Sequence, residues 1–552
     1  MSRQPGRSAT PYYTPPTPPS SIRPQAQPPV GSSAAAVAPT GRWSQVGKLW
    51  EQARTTLRGQ FVVLAVLILI LSVTQALLVS QSFRRASDDL NNIYSGSSPS
   101  VDAAQAIAQY IDDIDAKSAD YLATGGLTTQ QPCTIPGKTS SISLTVHDCD
   151  DQTIDAEIIQ ANQQLFVAAR NVTYPGEQTA IERITAGLEE YVSHVTVLRY
   201  EYDLATNPTA SQQDKQIHLK NAYNAYKAAN DVLLQKITRQ PLTDTNGAPI
   251  LQEQLGQPLP TCTPADSTTT LQPNEWATGN LQTAIDCLSD INKSHLEGAY
   301  LDTQNFLGQT IELTGLFCAV FCLLLFFVTG RMTYITHRVV NIGLTLALLI
   351  AIGFSIASVS FFAGMAGDTG SFKQMVRDSY DSVYAANLLK RYGTSANADE
   401  SRWLIALKFN DQAAADRWQT DWQTNTQLVQ QYMTKAKANQ TYPEEIQPLS
   451  DMQDNWNQYF SIDGQIRNAA TNTADANHLN AAETLSTGTS NTAFGAFEDA
   501  VDALGKANRD HYDSIYSSTN GALQVYILLS AILFPVIGLV AAWGVWQRLR
   551  DF

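Results

Sequence analysis

Four runs of apolar residues interrupt an otherwise polar chain. They read FVVLAVLILILSVTQALLV at 61–79, IELTGLFCAVFCLLLFFVT at 311–329, VVNIGLTLALLIAIGFSIASVSFFA at 339–363 and LQVYILLSAILFPVIGLVAAWGVW at 523–546. A helix rises about 1.5 Å per residue, so the shortest of these runs covers about 28 Å, close to the hydrocarbon thickness of a bilayer. Transmembrane helices are therefore predicted at 58–80, 311–329, 339–363 and 523–546. Between the second and third lies only GRMTYITHR, residues 330–338. So short a link predicts a tight hairpin, with the polar segments on either side of it hanging from the same face of the membrane.

Those two segments, 81–310 and 364–522, carry the 3.6-residue period of helices rather than the alternation of strands. In the first, Ile107, Ile111, Ile114, Ser118 and Tyr121 form one stripe, and Ile184, Leu188, Tyr191, Val195, Leu198 and Tyr202 a second. Leu219, Ala222, Tyr226, Ala229 and Leu233 form a third, and Leu281, Ile285 and Leu288 begin a fourth. The second segment repeats the scheme. Its stripes are Phe372, Met375 or Val376, Ser379 and Val383; Trp418, Trp422 and Val429, interrupted by Asn425; Leu449, Met452, Trp456 and Tyr459; and Phe494, Phe497, Val501 and Leu504. Gly125-Gly126, Tyr174-Pro175-Gly176 and Asn207-Pro208 punctuate the first set, and Ser211 with Asp214 resembles a capping box. The predicted fold class is all-α: a polytopic membrane protein with four transmembrane helices and two extracytoplasmic helical bundles. The halves read as a tandem repeat of organisation, not of residues.

Basic residues orient the spans. Arg42, Lys48, Arg54 and Arg58 precede the first, Arg331 and Arg338 lie in the link, and Arg548 and Arg550 follow the fourth. Together they place the amino terminus, the link and the tail at 547–552 in the cytoplasm of a cell-membrane protein, outvoting Arg84 and Arg85. Residues 1–57 are rich in Pro, Ser and Ala without apolar period and read as a disordered cytoplasmic tail, not a cleaved signal peptide.

Composition sharpens this picture in two ways. A net charge of -15 excludes nucleic acid as a partner, because phosphate neutralisation needs clustered Lys and Arg. Of six cysteines, Cys133, Cys149, Cys262 and Cys287 fall in the first polar segment, and Cys318 and Cys322 within an apolar run. The four imply two disulfides in an oxidising compartment, in any of three connectivities; the sequence-local pairs Cys133 with Cys149 and Cys262 with Cys287 are favoured.

No catalytic, cofactor or metal constellation stands out. The seven histidines are scattered, and phosphate-loop, nucleophile-elbow and dinucleotide motifs are lacking. Paired acids such as Asp112-Asp113 and Glu189-Glu190 read as surface groups, Trp403, Trp418, Trp422 and Trp456 as core, and the sequons at Asn171, Asn292 and Asn439 as unremarkable. Gln75, Glu312 and Asn341 are the few strongly polar residues within the spans, which argues against an ion path.

The run AAQAIAQYIDDIDAKSADYLATGG, 103–126, resembles the first helix of the four-helix-bundle sensory domains of bacterial chemoreceptors and histidine kinases. The run FKQMVRDSYDSVYAANLLKRYGTSANADESRWLIAL, 372–407, is similar to the second bundle of the GlnX-like four-span membrane sensors of actinobacteria and related bacteria. The resemblance implies a non-enzymatic receptor subunit. An extracytoplasmic solute-binding protein, or a small ligand such as an amino acid, would act on the bundles, and a cytoplasmic partner such as a serine/threonine kinase would read the state inside. Membrane lipid and a second copy of the chain are further expected partners. The four cysteines and the long tail depart from the family pattern. The link residues Arg331, His337 and Arg338 are expected to carry the cytoplasmic readout; the alternative reading is a channel or transport-accessory protein.

Overall fold

The computed structural model describes residues 56–123, 130–138, 140–234, 281–337, 341–472, 474–475 and 477–550. The Pro-rich tail, Gly125-Gly126, Cys262 and Arg338 lie outside them. Met1–Gln60 separates as a unit of its own, and Phe61–Phe552 is a second, compact unit. The two polar segments thus belong to one body.

Twelve helices of eight or more residues carry the described chain. They are α1 (Leu57–Asn91), α2 (Ser98–Ala123), α3 (Val146–Arg170), α4 (Glu177–Thr206), α5 (Gln212–Leu234), α6 (Leu281–Thr336), α7 (Ile342–Met365), α8 (Asp381–Lys408), α9 (Gln412–Ala438), α10 (Ile446–Thr471), α11 (His478–Leu485) and α12 (Asn491–Leu549). Four stretches are long and apolar enough to cross a membrane, in α1, α6, α7 and α12. In α6 and α12 the apolar stretch continues a helix of the polar segment without a break; α1 joins α2 through a π-helical turn, Asn92–Ser97. Only α7 is set off by a bend, after which a second π turn, Gln374–Tyr380, opens α8. A third π turn, Ser486–Ser490, opens α12.

The predicted stripes are buried almost throughout. Ile107 to Tyr121 on α2, Ile184 to Tyr202 on α4 and Phe494 to Leu504 on α12 all face cores, and the four tryptophans pack in the second. Three features depart from the sequence reading. A two-stranded antiparallel hairpin, β1 (Gln130–Cys133) with β2 (Ile142–Thr145), is added to the all-α plan. The following helix α3 escaped notice because its buried face mixes Ile154, Ala161 and Leu165 with Asp150, Thr153 and Glu157, which blurs the apolar period. Helix α6 runs through Thr336, so most of the expected link is helical, and His337 ends it with a left-handed φ of 50°.

Within the apolar quarter, small residues let helices meet. A Cβ on Gly343 of α7 would lie 2.8 Å from the Cα of Gly544 of α12. Beside them Asn341 caps α7 by accepting from Leu344 N at 3.3 Å and donates to the Gly544 carbonyl at 2.8 Å. Gln75 is buried too, its amide 3.1 Å from the Cys318 sulfur. Both polar residues are thus occupied in joining helices.

Candidate functional site

The two halves are alike in residues as well as in layout, which corrects the sequence reading. SSPSVDAA at 97–104 matches SYDSVYAA at 379–386, NVTYPGE at 171–177 matches NQTYPEE at 439–445, and LSDINKSHLEGAYLDT at 288–303 matches LGKANRDHYDSIYSST at 504–519. The matched segments are far apart in sequence, and in each half they converge on one spot.

That spot is a clamp around the π turn. A π turn widens the helix by one residue and loosens its hydrogen-bond ladder, freeing carbonyls for other donors. In the first half, Asn171 donates through Nδ2 to the Gly96 carbonyl within the turn and to Ser100 Oγ at 2.9 Å. In the second, Asn439 donates to the Arg377 carbonyl at 3.1 Å and to Ser382 Oγ at 2.7 Å. Tyr174 OH lies 2.7 Å from Ser97 Oγ, and Tyr442 OH 2.8 Å from Ser379 Oγ. Glu177, 1 % exposed, accepts from the Thr173 and Tyr174 amides; Glu445, equally buried, accepts from those of Thr441 and Tyr442. In the second half this is a capping box at the start of the 3₁₀ turn that leads into α10; in the first, Glu177, the first residue of α4, ties down the loop ahead of its helix.

Each clamp also grips the helix running toward the second apolar stretch of its half. Tyr174 stacks on His295 of α6 with ring centroids 3.9 Å apart, and Tyr442 on His511 of α12 at 3.7 Å, both planes within 8°. Burial holds the His295 imidazole below its ordinary pKa, favouring the neutral ring. One difference breaks the symmetry. Asn508 and the matching Asn292 both donate to the carbonyl four residues back, Leu504 and Leu288, but Asn508 also donates to Glu445 Oε1 at 2.8 Å, whereas Glu177 Oε1 has no partner.

The clamps are cross-wired. Lys293, one residue beyond Asn292 on α6, pairs with Asp381 of α8 at 2.7 Å; its counterpart Arg509 on α12 pairs with Asp102 of α2. Arg377 in the second π turn reaches Glu297 of α6. Tyr94 of the first π turn stacks on Tyr516 of α12 at 3.6 Å.

Above the clamps, α2 and α8 run parallel and form a polar seam. Tyr380 OH donates to the Ser98 carbonyl, Ser395 to Asp112 at 2.6 Å, Arg402 to Asp115, and Ser401 and Asn491 to Asp120. Asp112, read from sequence as a surface acid, is 2 % exposed. Desolvation raises the pKa of its carboxyl to about 6 against the pull of Arg402 and Arg391, and that of Asp399 to about 7. Glu400, held by Ser486 and Ser490, is raised to about 8 by burial and by Asp463. Burying so many acids is costly unless they are paired or protonated; here Arg402 and hydroxyl donors supply pairing, and the raised pKa values favour the neutral form.

The sequence-selected residues fall elsewhere. Cys133 and Cys149 are disulfide-bonded and tie the β hairpin to α3. Cys287 is disulfide-bonded as well; Cys262, its expected partner, lies outside the described residues. Cys318 and Cys322 are free thiols. Arg331 is exposed near the end of α6, ahead of His337. The sequons at Asn171 and Asn439, dismissed from sequence, are the clamp asparagines. A search for short matches between halves would find them, although the β hairpin and the 235–280 stretch change the spacing and defeat any fixed period. Among the described residues no group of three or more His, Cys, Asp or Glu is placed to hold a metal. Comparison with family models, curated proteins and solved structures gives no match to the chain.

Proposed function

We propose that the protein is a transmembrane sensor subunit, with both polar segments outside the cell membrane and with the termini and the α6–α7 link in the cytoplasm. It relays the state of its outer helices to a cytoplasmic partner. The observation that supports this most is the pair of matched, cross-wired clamps on helices that continue into the apolar stretches. A shift of α6 at His295 pulls on the first π turn through Tyr174 and on α8 through Lys293, so neither half can move alone. A packed body of this kind transmits a signal as a switch between two arrangements. The resemblance to GlnX-like sensors supplies the input, a solute-binding protein or small ligand, and the output, a serine/threonine kinase.

Mild cross-linking in native membranes followed by purification tests this. Recovery of an extracytoplasmic binding protein or of a kinase is expected, with recovery changed by Tyr442→Ala. Absence of both, with the chain itself recovered intact, overturns the relay.

A further inference from the structure

A cleft of about 260 Å³ opens between α5 and the corner where α8 meets α9, lined among others by Asn230, Arg402, Asp411, Arg417 and Trp418. Two of its residues are buried with a polar atom unpaired. Arg402 is 2 % exposed; its Nε and Nη1 serve Asp115 and Asp399, while Nη2 has no partner. Asn230 is 3 % exposed; its amide donates to the Tyr226 carbonyl, while Oδ1 accepts from nothing. Unsatisfied buried groups are uncommon in native proteins, and an orphan donor and an orphan acceptor on two residues that line one cleft call for an explanation.

The surroundings narrow the chemistry. Trp418 forms a flat wall between two guanidiniums, Arg402 with its Cζ 5.0 Å from the ring centre and Arg417 at 4.5 Å. Arg417 is loosely held, 3.7 Å from Asp421 and 3.5 Å from the Leu234 carbonyl, which leaves it able to turn toward a ligand. Lys227 is already neutralised by Asp411 at 2.7 Å. The cleft therefore offers the one unpaired N–H group of Arg402, the loosely paired Arg417 and the neutral acceptor of Asn230, with the carboxylate of Asp231 also in its lining, in a volume below the usual range for larger ligands. We infer that it binds a small carboxylic acid bearing a hydroxyl or ammonium group. The carboxylate would lie against Arg402 Nη2 and Arg417, and the second group would donate to Asn230 Oδ1. The site gives the relay an input of its own. Binding stands independently of the relay, and only the passage of its effect to the cytoplasm rests on that reading.

Calorimetry on the full-length chain in lipid nanodiscs tests it with four probes on one skeleton: 2-aminobutyrate, 3-hydroxybutyrate, butyrate and 2-aminobutanamide. The first two are expected to bind saturably, butyrate at least tenfold more weakly, and the amide not at all. Asn230→Leu is expected to bring the first two down to the level of butyrate, and Arg417→Gln to weaken all three acids about tenfold. Equal binding of acid and amide, no saturable binding of any acid, or discrimination that survives Asn230→Leu would each overturn the inference. Binding that obeys these expectations but leaves kinase recovery unchanged would sustain the site and count against the relay.

Discussion

At the scale of single residues, the clamp asparagines show how one side chain can hold two helices. Asn439 donates through its amide to both the Arg377 carbonyl and Ser382 Oγ. Leaving a part-buried acceptor unmatched costs about 1–3 kcal/mol. Asn439→Ala should lower the unfolding free energy by that amount. Asn439→Asp should cost at least as much although it keeps the shape, because an ionised carboxylate cannot donate. Denaturant unfolding of the purified chain checks both, and an aspartate variant as stable as the parent would show that donation to the π turn is not what matters. The same geometry gives Asn171 and Asn439, unremarkable as sequons, a structural role: Asn, Tyr and Glu act together, while the Thr hydroxyl bonds back to the Asn carbonyl at 3.0 Å and the Thr amide donates to the Glu.

At the scale of elements, the apolar runs and helical stripes were legible because hydrophobic period is a strong signal, and every long stripe from Ile107 to Leu504 landed on a buried face. Helix α3 and the seam were not legible. Their buried positions include Asp150, Glu157, Asp112 and Asp115, whose types argue for the surface until pairing partners from another helix are known. The π turns left no local signal; the Asn and Tyr that bond to the first two lie far away in sequence. Helix crossings among the apolar stretches depend on a similarly hidden feature, the Gly343–Gly544 approach. Gly343→Leu is expected to force α7 and α12 apart and cost about 1–3 kcal/mol. Gly353→Leu, on the same helix with nothing within 4 Å of a Cβ, should be tolerated. Thermal unfolding in detergent distinguishes them, and equal melting points would mean the crossing is not tight. For the link, replacing Arg331, His337 and Arg338 together should alter topology or output while the Cys133–Cys149 disulfide still forms. Normal output with normal topology would remove the link from the relay.

At the scale of the whole molecule, the seam makes stability depend on pH in a direction opposite to that of most surface acids. Asp112, Asp399, Glu400 and Glu498 all have folded-state pKa values raised by desolvation, to about 6, 7, 8 and 7. Between their unfolded values near 4 and these folded values, the native chain binds more protons than the unfolded one. The slope of unfolding free energy with pH is then negative, so the stabilisation is complete below about pH 4 and is lost as pH rises through about 6 to 8. Other acids pull the opposite way: Glu201 and Asp411 are lowered by His218 and Lys227, and their contribution is lost only in acid. Melting temperature is therefore expected to fall between about pH 6 and pH 8. Glu400 is the group to test, because it lies between Ser486 and Ser490 on one side and Asp463 with Arg467 on another, where α8, α10 and the third π turn meet. Glu400→Gln keeps the shape and cannot ionise, so it should flatten the decline and melt above the parent at pH 8 while matching it near pH 5. A parent whose melting temperature is constant or rises across that interval would show that these buried carboxylates ionise without penalty, their burial then being offset by neighbouring cations and hydroxyl donors rather than by bound protons.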